Sequence, residues 1–228
     1  MPLNKSTGNM YDFITHTWNT IKGECPHGCT YCYMKRWGKQ NETHLDEKEF
    51  KTDLGTGNFI FVGSSCDMFA NNINQNWIER TLLYCNNFDN QYLFQSKNPQ
   101  RFYSCGKSLI LPDKSVFCTT IETNRDYPEI MQSSPTIEDR IHNSIEISTV
   151  IPVYITIEPI MDFDISDLIN LIKQVKPVQI NIGADSGNNH LPEPPKEKIF
   201  DLIYELNTFT KVKIKKNLFR LIGDHKCK

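Results

Sequence analysis

ECPHGCTYCY, residues 24–33, sets three thiols, Cys25, Cys29 and Cys32, into one short loop with Gly28 and Tyr31 between them. A closed structural zinc site takes four ligands, usually supplied as two pairs of Cys or His. Here the spacing is C-x3-C-x2-C, and no second pair follows at zinc-finger distance. His27 lies inside the loop, but bringing its ring to the same ion as its neighbours strains so short a segment. Thiolates are also the usual ligands of iron–sulfur clusters. A four-iron cluster held by three thiolates leaves one iron without a protein ligand. An electron carrier has no use for that vacancy, whereas an enzyme can offer it to a small molecule. The residues thus leave two readings: a cysteine-ligated zinc or iron–sulfur binding module, a redox sensor included, or a catalytic cluster.

Working outward, the chain has 228 residues, 39% hydrophobic and 23% charged, which suits a globular fold with a real core. We read it as one domain, 1–228, with a core over about 11–217 and a basic tail at 218–228. The formal charge of −2 supplies no global field toward nucleic acid or anionic membrane. KVKIKK at 211–216, with Arg220, Lys226 and Lys228, is a local exception that reads first as a solvated edge. No apolar stretch is long enough to span a bilayer, and MPLNKSTGNM lacks the apolar centre of a signal peptide. A reducing cytoplasm is therefore expected, where a tight cysteine cluster argues for metal over disulfides. Cys66, Cys85, Cys105, Cys118 and Cys227 stand singly and read as small buried hydrophobes.

Short β-type runs alternate with helical periods. The strands expected are 13–18, 58–63, 91–96, 115–121, 152–158 and 178–183, with 211–215 as a seventh. Ile165, Leu168, Ile169 and Ile172 recur at helix spacing, as do Ile199, Leu202, Ile203 and Leu206. Thr136 with Asp139 resembles a capping box ahead of Ile137, Ile141 and Ile145. NQNWIERTLLYC supplies the helix after the second strand, and PEPP at 192–195 precedes another. Residues 38–57 form the longest irregular gap. Such alternation predicts an α/β fold with parallel strands and helical crossovers. A full eightfold barrel needs about 250 residues, so an incomplete (β/α)6-type barrel is expected, with its chemistry at the C-terminal strand ends.

CPHGCTYC, with Tyr31 in the aromatic slot, resembles the C-x3-C-x-aromatic-C motif of radical S-adenosylmethionine (radical SAM) enzymes. The wider THTWNTIKGECPHGCTYCYMKRW, FVGSSCDMF, QSKNPQR and IEPI resemble small phage and prophage radical SAM proteins of unassigned substrate. The start of the chain is also similar to the spore photoproduct lyase-like group. The resemblance implies a [4Fe-4S] cluster ligated by Cys25, Cys29 and Cys32, with S-adenosylmethionine chelating the fourth iron. One electron then cleaves the sulfonium to methionine and a 5′-deoxyadenosyl radical, which abstracts hydrogen from a substrate. The cofactors carry that chemistry, while the protein binds, orients and excludes water.

Strand ends nominate the cofactor-binding residues. Relatives carry Gly-Gly-Glu where this chain has Gly63-Ser64-Ser65, so Ser64, Ser65 and Asp67 are candidates for the methionine ammonium. Alternatively, this is a small-residue turn with Asp67 capping a helix. Thr120 and Glu122 are candidates for the ribose hydroxyls. Arg125 suits the methionine carboxylate, because a guanidinium forks onto two oxygens, or else makes a surface ion pair. Lys97 is a candidate for that carboxylate or a substrate phosphate. Glu158, ahead of Pro159, and Asn181 are candidates for ligand hydrogen bonds, and Gly183 for close approach of the adenine. Asp185 acts in the 183–189 loop or caps its turn. Cys118 and Tyr154 share the presumed inward face, where a thiol and a phenol can relay hydrogen atoms, as lyase-type relatives do. Both are equally ordinary core residues.

The remaining expectations concern partners. No second cysteine cluster is present, so an external one-electron donor of flavodoxin or ferredoxin type is implied by the resemblance. A nucleoside or nucleic acid is the preferred substrate, with Trp18, Tyr33 and Trp37 near the mouth available to stack bases, or else packing the first helix and strand.

Overall fold

A computed structural model describes residues 2–8, 10–108 and 110–223; Cys227, Lys226 and Lys228 lie outside the described residues. The strands are β1 (Asn4–Lys5), β2 (His16–Trp18), β3 (Ile21–Lys22), β4 (His44–Leu45), β5 (Phe59–Val62), β6 (Gln91–Gln95), β7 (Ser115–Thr120), β8 (Val153–Ile157), β9 (Gln179–Ile182) and β10 (Lys211–Ile214). The helices are α1 (Gln75–Cys85), α2 (Pro99–Ser108), α3 (Pro128–Met131), α4 (Ile137–Ser148), α5 (Ile165–Val175), α6 (Lys196–Asn207) and α7 (Phe219–Ile222). Eight strands form one sheet in the order β1-β2-β5-β6-β7-β8-β9-β10. From β2 to β10 every pairing is parallel; only β1 runs antiparallel, on β2. The expected parallel α/β sheet is thus present, with one antiparallel edge strand that the reading of periodicity missed. A two-residue strand carries too little pattern to be recognised.

Both faces of the sheet are covered, as parallel sheets require. The side-chain alternation of a strand sends Ile60, Val62, Tyr92, Phe94, Phe117, Ile155, Ile157, Ile180 and Ile182 into the main core with the helices. The opposite face carries Phe61, Leu93, Val116 and Cys118, closed over by Tyr11 and Ile14 in a second cluster. That inner face also holds Gln95, Thr120, Tyr154, Thr156, Gln179 and Asn181. An ion pair between Lys213 and Asp12, 2.9 Å, ties the segment before β2 to the last strand.

Two expectations need correction. Residues 38–57 are not without structure: β4 pairs with β3, and Glu47–Lys51 form a 3-10 turn. Trp18 does not stand at the mouth. It is 1% exposed, stacks on Tyr84 at 5.2 Å between ring centres and donates Nε1–H to the Glu49 carbonyl. The 38–57 segment folds back over it, a long-range contact that strand periodicity does not encode. Trp37 and Tyr33, by contrast, are exposed. Within the basic run, Lys213 of β10 pairs with Asp12, and Lys215, just past the strand, pairs with Glu158. Leu218 and Ile222 are buried, so packing continues past residue 217.

Candidate active site at the strand ends

The cysteine loop lies between β3 and the 3-10 turn Tyr33–Trp37. Gly28 adopts φ +67°, a left-handed conformation that glycine takes without steric cost. Short turns fold the loop, Gly28 N–H to the Cys25 carbonyl and Cys32 N–H to the Cys29 carbonyl, both 3.2 Å. Thr30 N–H to the Ile130 carbonyl and Ser133 N–H to the His27 carbonyl moor it to α3 and the turn that follows. The His27 ring is buried, and its Nε2 lies 2.7 Å from Asp67 Oδ2. That oxygen also accepts from Ser96 Oγ and Lys97 N–H, and Oδ1 accepts from Phe69 N–H. Asp67, a candidate for the ligand ammonium, is thus occupied in bracing β5, β6 and the loop. The same pairing turns His27 toward a carboxylate rather than toward the thiols.

Among the described residues, no three His, Cys, Asp or Glu side chains converge as a single-ion site. A multi-iron cluster spaces its ligands more widely than one ion does, so the donor chemistry is the better test of fit. Cys25 is held at about 6 by a hydrogen bond from Cys66, a thiol kept protonated by that bond and by its burial. Burial is the largest influence on Cys29 and raises it, but the Lys97 ammonium and the Ser134 hydroxyl together bring the thiol below its ordinary value. Cys32 is raised, chiefly by burial. Three sulfur donors in one loop, two of them made more acidic by their neighbours, fit an iron–sulfur group, whose usual ligands are thiolates.

Behind the loop lies a buried charge network. Glu122 and Arg140 are both fully buried and pair at 2.7 Å. Arg140 also donates to the carbonyls of Pro135 and Thr120, at 2.8 and 3.0 Å. Lys97 Nζ lies 3.1 Å from the second Glu122 oxygen and 3.2 Å from Cys29 Sγ. Tyr31 donates its hydroxyl to Glu122 and accepts from Lys97. Burial alone would raise the Glu122 carboxyl; Arg140 and Lys97 reverse that and hold it at about 2. The sequence reading named Tyr31, Lys97 and Glu122 separately. It missed Arg140, which carries no local signal because it sits in the first turn of an amphipathic helix.

The other nominated residues line the strand ends with differing freedom. Ser64 Oγ donates to Asn19 Oδ1, while Ser65 Oγ is buried with no partner among the described residues. Thr120 accepts from Gln95. Asn181 Oδ1 accepts from Gln179, and its Nδ2 is buried and unpartnered among the described residues. Glu158 pairs with Lys215 and accepts from Asn217 at 2.8 Å. A Cβ on Gly183 would stand 2.6 Å from Glu158 Oε1, so that position excludes larger residues. Arg125 is committed to Asp162 and Asp164, with a guanidinium only partly buried. Asp185 accepts from the amides of Gly187 and Asn189, the turn-capping alternative. Cys118 is fully buried beside Tyr154 across the β7–β8 register. Tyr11, which the sequence reading passed over, donates its hydroxyl to Gln95 at 2.9 Å within the same cluster.

The fold is a mostly parallel sheet covered by helices, a partial barrel of the kind found in the solved structures that superpose on it. Among solved structures, spore photoproduct lyase with dinucleoside spore photoproduct superposes with a TM-score of 0.67 at 8% identity, covering 93% of this chain and 80% of that one. Another structure of that lyase, with bound AdoMet and the dinucleoside, gives 0.65 at 8% identity over the same shares. Streptococcus suis SuiB bound to S-adenosylmethionine gives 0.62 at 9% identity, covering 91% of this chain and 52% of that one. Both of these proteins are radical SAM enzymes. No family model and no curated protein matches the chain.

Proposed function

We propose that the chain is a radical SAM enzyme whose Cys25, Cys29 and Cys32 ligate a [4Fe-4S] cluster. The observation that carries this is the C-x3-C-x2-C loop, set at the strand ends of a partial barrel with the buried Lys97 ammonium against Cys29. When bound at these three cysteines, a reduced cluster would supply the one electron that splits S-adenosylmethionine into methionine and a 5′-deoxyadenosyl radical. The chain's part is to bind, orient and exclude water. Ser65 Oγ and Asn181 Nδ2 are buried polar atoms awaiting a ligand, since leaving such groups unpaired is costly. Ser64, Thr120, Glu158 and Gly183 complete the rim we assign to S-adenosylmethionine, with Tyr31, Lys97 and Glu122 beneath it. Asp67 and Arg125 are engaged elsewhere, and we give them no ligand. We place Cys118 and Tyr154 on the substrate side as a hydrogen relay. The electron comes from an external flavodoxin- or ferredoxin-type donor, and the enzyme works in the cytoplasm; no helix among the described residues is long and apolar enough to cross a membrane.

For the substrate we favour a nucleoside or nucleic acid, in keeping with the phage-type resemblance and with the dinucleoside held by the lyase neighbour. SuiB bound to its precursor peptide is the contrary example on the same fold. The test is anaerobic reconstitution with iron and sulfide, then dithionite and S-adenosylmethionine. Brown protein that releases 5′-deoxyadenosine is expected. Colourless protein with one zinc per chain would establish the binding module instead, and a brown protein that leaves S-adenosylmethionine intact would establish a redox sensor. Deuterium transfer into 5′-deoxyadenosine from labelled oligonucleotides, against labelled peptides, decides the substrate class.

A further inference from the structure

The Lys97 ammonium is in contact with a thiol, a carboxylate and a phenol at once. It also stands 4.4 Å from the centre of the Tyr31 ring. Glu122 is not its alone, because Arg140 holds the other oxygen at 2.7 Å. Two buried cations therefore share one carboxylate. Beside that shared carboxylate, the Cys29 sulfur is the further acceptor that Lys97 contacts, at 3.2 Å. Ser134 brings a second donor to the same sulfur, its Oγ 3.2 Å from Cys29 Sγ. Among the described residues, no lysine or arginine nitrogen makes such a contact with Cys25 or Cys32.

On the reading that these cysteines hold an iron–sulfur cluster, we propose that Lys97 is a positioning residue. Through its charge and hydrogen bond on the Cys29 sulfur, and seconded by the Ser134 hydroxyl, it sets the cluster's reduction potential. The physics is that of any redox group near a fixed charge. Reduction adds one negative charge to the cluster. A cation and a donor on a ligand sulfur stabilise the reduced form more than the oxidised one. Lys97 is 14% exposed at its side chain, so water and salt screen it little. The charge-assisted bond is also the stronger kind, which ranks Lys97 above Ser134.

The test is an anaerobic redox titration, monitored by electron paramagnetic resonance, of reconstituted full-length protein without S-adenosylmethionine. Wild type, Lys97→Met, Lys97→Arg and Ser134→Ala are compared at matched iron and sulfide content. Lys97→Met should shift the one-electron equilibrium at least tenfold toward the oxidised cluster, a fall of about 59 mV. Lys97→Arg should stay near wild type, and Ser134→Ala should fall by less, in the same direction. A Lys97 that only balances Glu122 lowers the unfolding midpoint and leaves the potential where it was. Midpoints of Lys97→Met and Ser134→Ala that coincide with wild type overturn the proposal. If Lys97→Met retains no cluster, Ser134→Ala decides alone, and an unshifted midpoint again overturns it. A wild-type protein that takes up no cluster sinks the functional reading itself, a result distinct from an unmoved potential in loaded protein.

Discussion

Glu122 gathers the costs and gains of the site into one side chain. A fully buried carboxylate is tolerated only when it is paired and hydrogen-bonded. Arg140, Lys97 and Tyr31 meet that demand from three separate elements. Arg140→Leu strands the Glu122 charge and should cost about 3–5 kcal/mol, the usual effect of breaking a buried pair from one side. Urea unfolding checks this, and the double variant Arg140→Leu/Glu122→Leu should recover much of the loss. The same carboxyl predicts a pH dependence. Its folded value, about 2, lies below the 4.5 of an unperturbed glutamate. The stability it contributes is therefore complete above about pH 4.5 and drains away as pH falls toward 2. At about 1.4 kcal/mol per pH unit, the contribution is on the order of 3 kcal/mol. The stability difference between wild type and Glu122→Gln should shrink across that window; a difference constant from pH 5 to pH 2 contradicts it.

Helix α4 shows how an element delivers a residue. Thr136 Oγ1 accepts from Asp139 N–H at 3.1 Å and donates to Asp139 Oδ2 at 2.9 Å, so Thr136 caps the helix as the sequence suggests, with Asp139 bonded to its hydroxyl rather than to its backbone N–H. Arg140 follows one residue later, so the cap fixes the turn that carries the guanidinium to Glu122. Thr136→Ala should cost about 1 kcal/mol, and Thr136→Ser should keep most of it, as read from thermal unfolding. The end of β9 makes the opposite demand, for a missing side chain. Gly183→Ala places a methyl where Glu158 Oε1 and Asn217 Oδ1 now stand, at 2.6 and 2.9 Å. The expected result is displacement of Glu158 from Lys215 and, on the function proposed above, weaker binding of S-adenosylmethionine, measured by calorimetry on the reconstituted protein.

At the scale of the molecule, the inner face of the sheet is closed by the segment before β2. Tyr11 is 6% exposed and packs on Phe61, Leu93, Val116 and Cys118. Tyr11→Ala should cost about 3–5 kcal/mol, as for other large aromatics removed from a core. Tyr11→Phe, which keeps the ring and loses the hydroxyl with its bond to Gln95, should cost about 1 kcal/mol. Thermal unfolding of the two variants separates the contributions, and equal losses would show that packing is not what Tyr11 supplies. What the sequence determined by itself was local. The positions of the parallel strands, of α1, α4, α5 and α6, the Thr136 cap and the spacing of Cys25, Cys29 and Cys32 follow from periodicity or short-range chemistry, whereas α2, Pro99–Ser108, was not read from the sequence. Tertiary structure decided which groups meet. It spent Asp67 on His27 and Ser96, Arg125 on Asp162 and Asp164, and Trp18 on Tyr84. It also brought Arg140 to Glu122 and Lys97 to Cys29. Those partners lie 18 to 68 residues apart in the chain, and neither strand nor helix periodicity carries information over that distance, so only the packed fold selects them.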